Sequence, residues 1–460
     1  MNLTYGIKDK PQFKHMLVFA FQQVLAILAA TILVPALING ACPGANMSQA
    51  AALFGAGVGT IIYQLFTKFR SPVFLGSSFA FIGSMIVTFA GAASVALGYL
   101  GLVIGAVLAG LVYVVISCVV RVAGTGWVSK IMPAVVIGPT VAIIGLSLAG
   151  NAIGNLVSGT YSADASAYVF DLTTGLHILC GLVALAVVML CSVFGKKMAK
   201  LIPFIIGILS GYVLASLITL IGKVAGVEAM VIMDYSAFTS LFKDITLSSF
   251  VQIPEFTFIK ALGGFSDFNL AYVGTVAIAY VPVAFVVFAE HIADHKNLST
   301  IIGQDLISDP GLNNTLLGDG VGSMAGAFFG GCPNTTYGES VACVAITKNA
   351  SVATITTAAV MCMLMSFFSP FVAFLSTIPT YVMGGICVSL YGFIAVSGLK
   401  MLQPVDLNDN RNLFVAAVIL VSGVGGLAIT FGQVTLTTAA CSLILGILTN
   451  TMLSKKKAAE

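Results

Sequence analysis

Glu290, Asp294 and Glu339 lie in apolar stretches of a chain in which only 8% of residues are charged. A carboxylate at membrane depth costs roughly 2.5 kcal/mol or more, so such a group faces a cavity, a partner or a ligand. The remaining acids, Asp319 among them, read as parts of tails or polar connections. In Phe288-Ala289-Glu290-His291-Ile292-Ala293-Asp294-His295, Glu290 and Asp294 are spaced i,i+4 and share one helix face. His291 and His295 have the same spacing on a face about 100° away. Two acids on one apolar face can hold a proton between them, with His291 the next proton group in line. As side chains, the two histidines read as polar or surface residues. A helix end emerging into water is the competing account of the whole cluster.

A second cluster is Pro333-Asn334-Thr335-Thr336-Tyr337-Gly338-Glu339-Ser340. Gly338 permits close approach to the backbone, and Glu339 follows near a predicted helix start. A planar ligand with N–H donors would suit Glu290 and Glu339 as acceptors and a backbone N–H as donor. The rings of Phe79 and Tyr337 could form apolar walls.

The elements that must position these groups are membrane helices. Hydrophobic residues make up 58% of the 460, above the roughly 45–50% of soluble domains, and mean hydropathy is +1.06. Runs of about 20 apolar residues recur throughout, as bilayer-spanning helices require. The fold expected is an all-α polytopic membrane protein. Its fourteen spans are 15–38, 48–69, 72–90, 95–120, 131–150, 173–194, 202–222, 269–295, 315–331, 335–348, 351–377, 379–400, 412–430 and 432–453. The first reads as a retained helix, not a signal peptide. With the N-terminus inside, the lysines and arginines fall in cytoplasmic connections, except Lys223, Lys243 and Lys260 in one long outer segment. That asymmetry matches the positive-inside rule and supports an even number of spans. Nine cysteines are scattered without CxxC or Cys/His metal spacing, so no metal or cofactor is expected. Cys42 and Cys332 sit near predicted outer span ends, and spacing gives no ground for pairing them.

The halves echo each other. Gly76-Ser77-Ser78-Phe79-Ala80 resembles Asn334-Thr335-Thr336-Tyr337-Gly338, and Met132-Pro133-Ala134-Val135-Val136-Ile137-Gly138 resembles Ile378-Pro379-Thr380-Tyr381-Val382-Met383-Gly384. An offset of seven spans inverts topology, the build of many secondary transporters. The division expected is a first seven-span repeat at 1–222, an amphipathic extracytoplasmic connection at 223–268 and a second repeat at 269–460. Spans three and ten open with Ser/Thr, Gly and aromatic residues beside Pro72 and Pro333. They favour extended backbone, which at membrane depth must pair or line a cavity.

These residues carry a resemblance. Ala289–His295 (AEHIADH), 305–320 (DLISDPGLNNTLLGDG) and 333–340 (PNTTYGES), with LGSSFAFI at 75–82 and ATILVP at 30–35, are similar to the nucleobase–ascorbate transporter (nucleobase–cation symporter) family, most of all to its bacterial uracil permeases. The resemblance spans essentially the whole chain. It implies a core domain from spans 1–4 and 8–11 and a gate domain from spans 5–7 and 12–14. It implies uracil:proton symport by alternating access in a bacterial inner membrane, with both termini cytoplasmic and no enzyme activity. Residue by residue, Glu290 and Glu339 match the carboxylates that bind the base. Phe79, Tyr337 and Gly338 match the pocket strands, and Ala30 and Tyr391 match peripheral contacts. Expected partners are uracil, the proton and the lipid bilayer; a homodimer is compatible, and nucleic acid is not expected. Two positions depart from the uracil pattern. Asp294 stands where uracil permeases can carry His, and Gln22-Gln23 where the family often has Gln-His. Purine relatives also carry Asp at the first of these, so a purine or xanthine permease is the second reading. An ion channel would show charge rings, and a membrane enzyme a nucleophile or metal constellation; neither pattern is found.

Overall fold

The computed structural model describes residues 3–454 apart from 125–126, 128–132, 163–165, 197 and 432–433. The first half contains α1 (Phe13–Ala41), α2 (Gln49–Phe66), β1 (Leu75–Ser77), α3 (Ile82–Ala90), α4 (Val95–Ala123), α5 (Ala134–Ser147), α6 (Ala149–Val157), α7 (Leu172–Phe194) and α8 (Pro203–Ala225). The second contains α9 (Leu270–Ile302), α10 (Leu312–Gly330), β2 (Asn334–Thr336), α11 (Gly338–Thr347), α12 (Val352–Ser366), α13 (Thr380–Lys400), α14 (Asn410–Val424) and α15 (Thr438–Ser454). Between the halves, after α8 ends at Ala225, residues 226–268 form only short helical turns such as Ser236–Leu241 and Thr257–Leu262. Among the described residues, eight helical stretches are long and apolar enough to cross a membrane: α1, α2, α4, α5 with α6, α7, α8, α9 and α13. Several others, α11, α12, α14 and α15 among them, are apolar but shorter.

The helices pack in two groups. In one, α2 and α4 pack on α10, α9 on α4, and α12 on α1 and α2. In the other, α5, α6 and α7 pack on α13, α8 on α7, and α14 on α5 and α15. The α2–α10 seam shows how sequence sets this packing. A Cβ on Gly55 or Gly59 would collide with the carbonyl of Gly326 or Gly322 on the facing helix. Only small residues allow backbones this close, which is how apolar helices gain contact where lipid supplies no hydrophobic drive.

Spans three and ten are half strand and half helix, as their composition requires. β1 and β2 pair antiparallel with Leu75 opposite Thr336, Gly76 opposite Thr335 and Ser77 opposite Asn334. The two echoed segments therefore meet each other. Further bonds tie off the ends of the ribbon: Ser78 N–H donates to the Pro333 carbonyl (2.8 Å) and Tyr337 N–H to that of Phe74 (3.2 Å). On the outer edge of β1, Leu75 N–H donates to Thr60 Oγ1 (2.9 Å). Buried backbone so satisfied is tolerable at membrane depth. The second echo also has a structural counterpart. Pro133 caps α5 and Pro379 caps α13 with nearly the same extended backbone; Met132 lies outside the described residues.

Three expectations need correction. Asp319 is not in a polar connection. It is fully buried within α10, the five-glycine helix of the expected span 315–331. His291 and His295 are not surface residues either, being 0% and 1% exposed. The eighth span does not end at 295, because α9 continues for two turns to Ile302 and keeps the cluster inside the helix. Cys42 and Cys332 are free thiols.

Candidate functional site

Several helices here start on a side-chain cap. Ser48, Ser94, Asp171 and Asn269 each accept a hydrogen bond from the backbone N–H three residues on, which satisfies one orphan donor of the first turn. Other starts lack this, among them the two beside the strands. Neither the 3₁₀ turn Phe79–Phe81 leading into α3 nor α11 has a side-chain cap. Both follow directly from the β1–β2 pair. The N–H groups and positive dipole ends of these two starts face the region beyond the strands, an arrangement suited to an acceptor-bearing ligand.

A cavity of about 390 Å³ opens there, within the roughly 300–1,000 Å³ usual for small-molecule sites. Glu290, Ala293 and Asp294 of α9 line it, as do Phe79, Thr335, Thr336, Tyr337, Gly338 and Glu339. The opposite wall is apolar and comes from the other helix group: Val141 and Ile144 of α5, Phe204 of α8, and Leu390, Phe393 and Ile394 of α13. Lys200, Ile346 and Met401 extend the lining toward one end. Six residues singled out in the sequence thus share one cavity. Ala30 and Tyr391 are buried and absent from its lining. Tyr391 stands edge-on behind Phe79 with ring centroids 6.2 Å apart, and Ala30 lies one turn along α1 from the lining residue Ala26.

The polar groups are held differently. Thr336 Oγ1 donates to Asp294 Oδ2 at 2.8 Å, a contact the sequence reading missed because Thr336 registered only as extended backbone. Strand alternation carries the signal: Asn334 and Thr336 project to one side of β2, and Asn334 reaches the Gly55 carbonyl (3.1 Å). Tyr337 donates through its hydroxyl to the Ser77 carbonyl (2.7 Å), and its ring lies where a Cβ on Gly76 would be. That close approach is why glycine occupies position 76. At Gly338 the reverse holds. It is exposed, and a Cβ there would meet nothing within 4 Å. Ser340 accepts from Phe74 N–H (3.0 Å) and from the Gln23 amide, tying α11 to both strand and α1. Glu290 has no hydrogen bond or ion pair among the described residues.

His291 faces away from the cavity. Its Nδ1 meets Asp319 Oδ2 at 2.7 Å and its Nε2 meets Thr315 Oγ1 at 3.0 Å. His295 donates from Nδ1 to the His291 carbonyl (2.8 Å), and its Nε2 lies 2.6 Å from the Tyr63 hydroxyl. The two imidazoles stack with centroids 4.0 Å apart.

Comparisons with known proteins bear on the family and the fold. The sequence profile of the Permease family matches residues 14–432. The chain is 37% identical to the uracil permease of Bacillus caldolyticus over 99% of its own length and 96% of that protein's. It is 36% identical to the uracil permease of Bacillus subtilis (strain 168) with the same coverage. In architecture it resembles the transmembrane domain of a cyanobacterial bicarbonate transporter, BicA, with a TM-score of 0.60 at 14% identity, covering 96% of this chain and 99% of that one.

Proposed function

The chain belongs to the Permease family and is a multi-pass membrane protein, and from that premise we propose that it is a uracil:proton symporter working by alternating access. The supporting observation is the cavity itself, which places two helix starts without side-chain caps and three carboxylates on one helix group and an apolar wall on the other. Uracil presents ring N–H donors beside carbonyl acceptors. In this reading Glu339 and Glu290 accept from the base, and the N–H groups at the start of α11 donate to it. Phe79 and Tyr337 enclose its faces. Binding between two packing groups lets one group move against the other while the site stays near mid-membrane. The group containing α1–α4 and α9–α12 is then the core, and that containing α5–α8 and α13–α15 the gate, with fourteen crossings in two inverted sets of seven. Lys200, Ile346 and Met401 lie next to loops that the positive-inside pattern assigns to the cytoplasm, so the cavity as seen is the inward-facing one.

The proton is carried on the Glu290–Asp294 face. Two carboxylates one helical turn apart cannot both be charged cheaply in an apolar setting. A shared proton cancels that cost and makes the loaded site electrically easier to move. The test is uptake of radiolabelled uracil into proteoliposomes with and without an inward proton gradient, competed with unlabelled bases. Gradient-dependent uptake suppressed by uracil is expected. Cytosine, which places an amine where uracil has a carbonyl, should compete at least tenfold less well, because buried polar groups would be left mismatched. Stronger competition by xanthine than by uracil would transfer the assignment to a purine permease.

A further inference from the structure

We propose that His291, braced by Asp319 and Thr315, is a positioning residue that fixes the rotation of α9 and thereby aims Glu290 into the cavity. The inference rests on the reading of Glu290 as a substrate contact. Three observations carry it. First, Glu290 has no bond of its own among the described residues, so no side-chain partner aims it and the rotation of α9 sets the face from which its side chain leaves. Second, the adjacent residue is the one most firmly held. His291 is 0% exposed, and both of its ring nitrogens are engaged by α10, at Asp319 and, one turn earlier, at Thr315. Two bonds to one neighbouring helix fix rotation as well as distance. Third, α10 is a rigid reference, because its glycines lock it against α2.

The brace is also reciprocal. Asp319 Oδ1 has no hydrogen-bond partner among the described residues, and neither does the nearby Tyr113 hydroxyl. Asp319 is therefore held through His291, and a buried acid with one partner enforces that partner's geometry strongly. Thr315 has a single hydroxyl hydrogen, which can go to the Leu312 carbonyl (3.1 Å) or to His291. An amide at position 319 can still accept from an Nδ1–H while Thr315 donates to Nε2. Asp319→Asn therefore keeps the brace while removing the charge.

The experiment measures two things on purified full-length protein. One is uracil affinity by calorimetry. The other is the rate of maleimide labelling of Ala293→Cys, read at that peptide by mass spectrometry. Ala293 lines the cavity on α9, so its labelling reports helix rotation without needing any ligand. We expect His291→Leu to weaken uracil binding by about tenfold or more, the scale of one lost polar contact, and to change the labelling rate severalfold. Asp319→Asn should leave both within about threefold of wild type. Thr315→Val, which keeps shape and removes one bond, should fall between and serves if His291→Leu does not fold. Wild-type labelling and affinity in His291→Leu and Thr315→Val would overturn the proposal. So would Asp319→Asn proving as damaging as His291→Leu, since charge and not direction would then matter. Should the wild type fail to bind uracil, the substrate assignment falls, while the labelling rates still decide the role of His291.

Discussion

On α9, Glu290 and Asp294 open onto the cavity, whereas His291 and His295 are closed into the packing against α2 and α10. One residue of sequence, about 100° of helix, separates a face left short of partners from a face supplied with them. His295 reaches Tyr63, which in turn bonds Ser71 at 2.7 Å. His291 reaches Asp319 and Thr315. On the other face only Asp294 has a fixed partner, the Thr336 hydroxyl. A polar group satisfied by its own protein has little left to offer a ligand, while an unsatisfied one at membrane depth is stable only if something else completes it. Under the proposed function, the comparison separates residues that would meet the ligand from residues that hold the helix still.

The sharpest way to break this contrast is on the open face. Glu290→Gln keeps shape but replaces an acceptor with a donor, leaving a mismatch worth on the order of 1–3 kcal/mol. Uracil affinity should fall about ten- to a hundredfold, and uptake should be lost; calorimetry and proteoliposome flux check the two arms. Glu339→Gln should behave alike. Asp294→Asn comes next. It removes one titrating site without touching the proposed base contacts, so binding should persist while uptake stops responding to an imposed proton gradient. Full gradient-driven uptake in this variant would move the proton elsewhere.

On the closed face the sign of the effect changes. Tyr63→Phe removes the partner of His295 Nε2 and should destabilise the protein by about 1–3 kcal/mol, visible as a lower melting temperature in detergent. Uracil affinity should stay within about twofold, since no cavity contact is lost. The smallest effect is expected for Thr336→Val, which frees Asp294 within an already polar wall. A loss of a few-fold in affinity is expected, and a loss as large as that of Glu290→Gln would show that Asp294 itself contacts the base.

Sequence patterns carried the open face well and the closed face poorly. Glu290, Asp294 and Glu339 stood out because acids in apolar runs are rare, and the Pro-flanked Gly76 and Thr335 segments announced extended backbone. Asp319 was invisible for the opposite reason. Leu317-Gly318-Asp319-Gly320 lies inside the expected span 315–331, yet Asp319 reads there with the acids of polar connections; its glycines serve close helix contact, which only tertiary packing reveals. The histidines failed similarly, because their burial depends on partners 24–232 positions away. The apolar wall of Val141, Leu390 and Ile394 had no signature at all, since in a chain this hydrophobic one more aliphatic residue carries no information.

The β1–β2 ribbon has a consequence for how the protein is made. Ser77 and Tyr337, bonded across it, are 260 positions apart. At the ribosome's roughly 5–20 residues per second, β1 exists for roughly 13–52 s before its partner is synthesised. Throughout that interval its backbone groups have no strand to pair with, and a bilayer interior does not forgive them. The first half must therefore be sheltered during biogenesis, by the insertion machinery or by holding its third segment back at the membrane surface. The strand pair is thus a clasp that closes only after the second half has begun, while α12–α15 are still to be made.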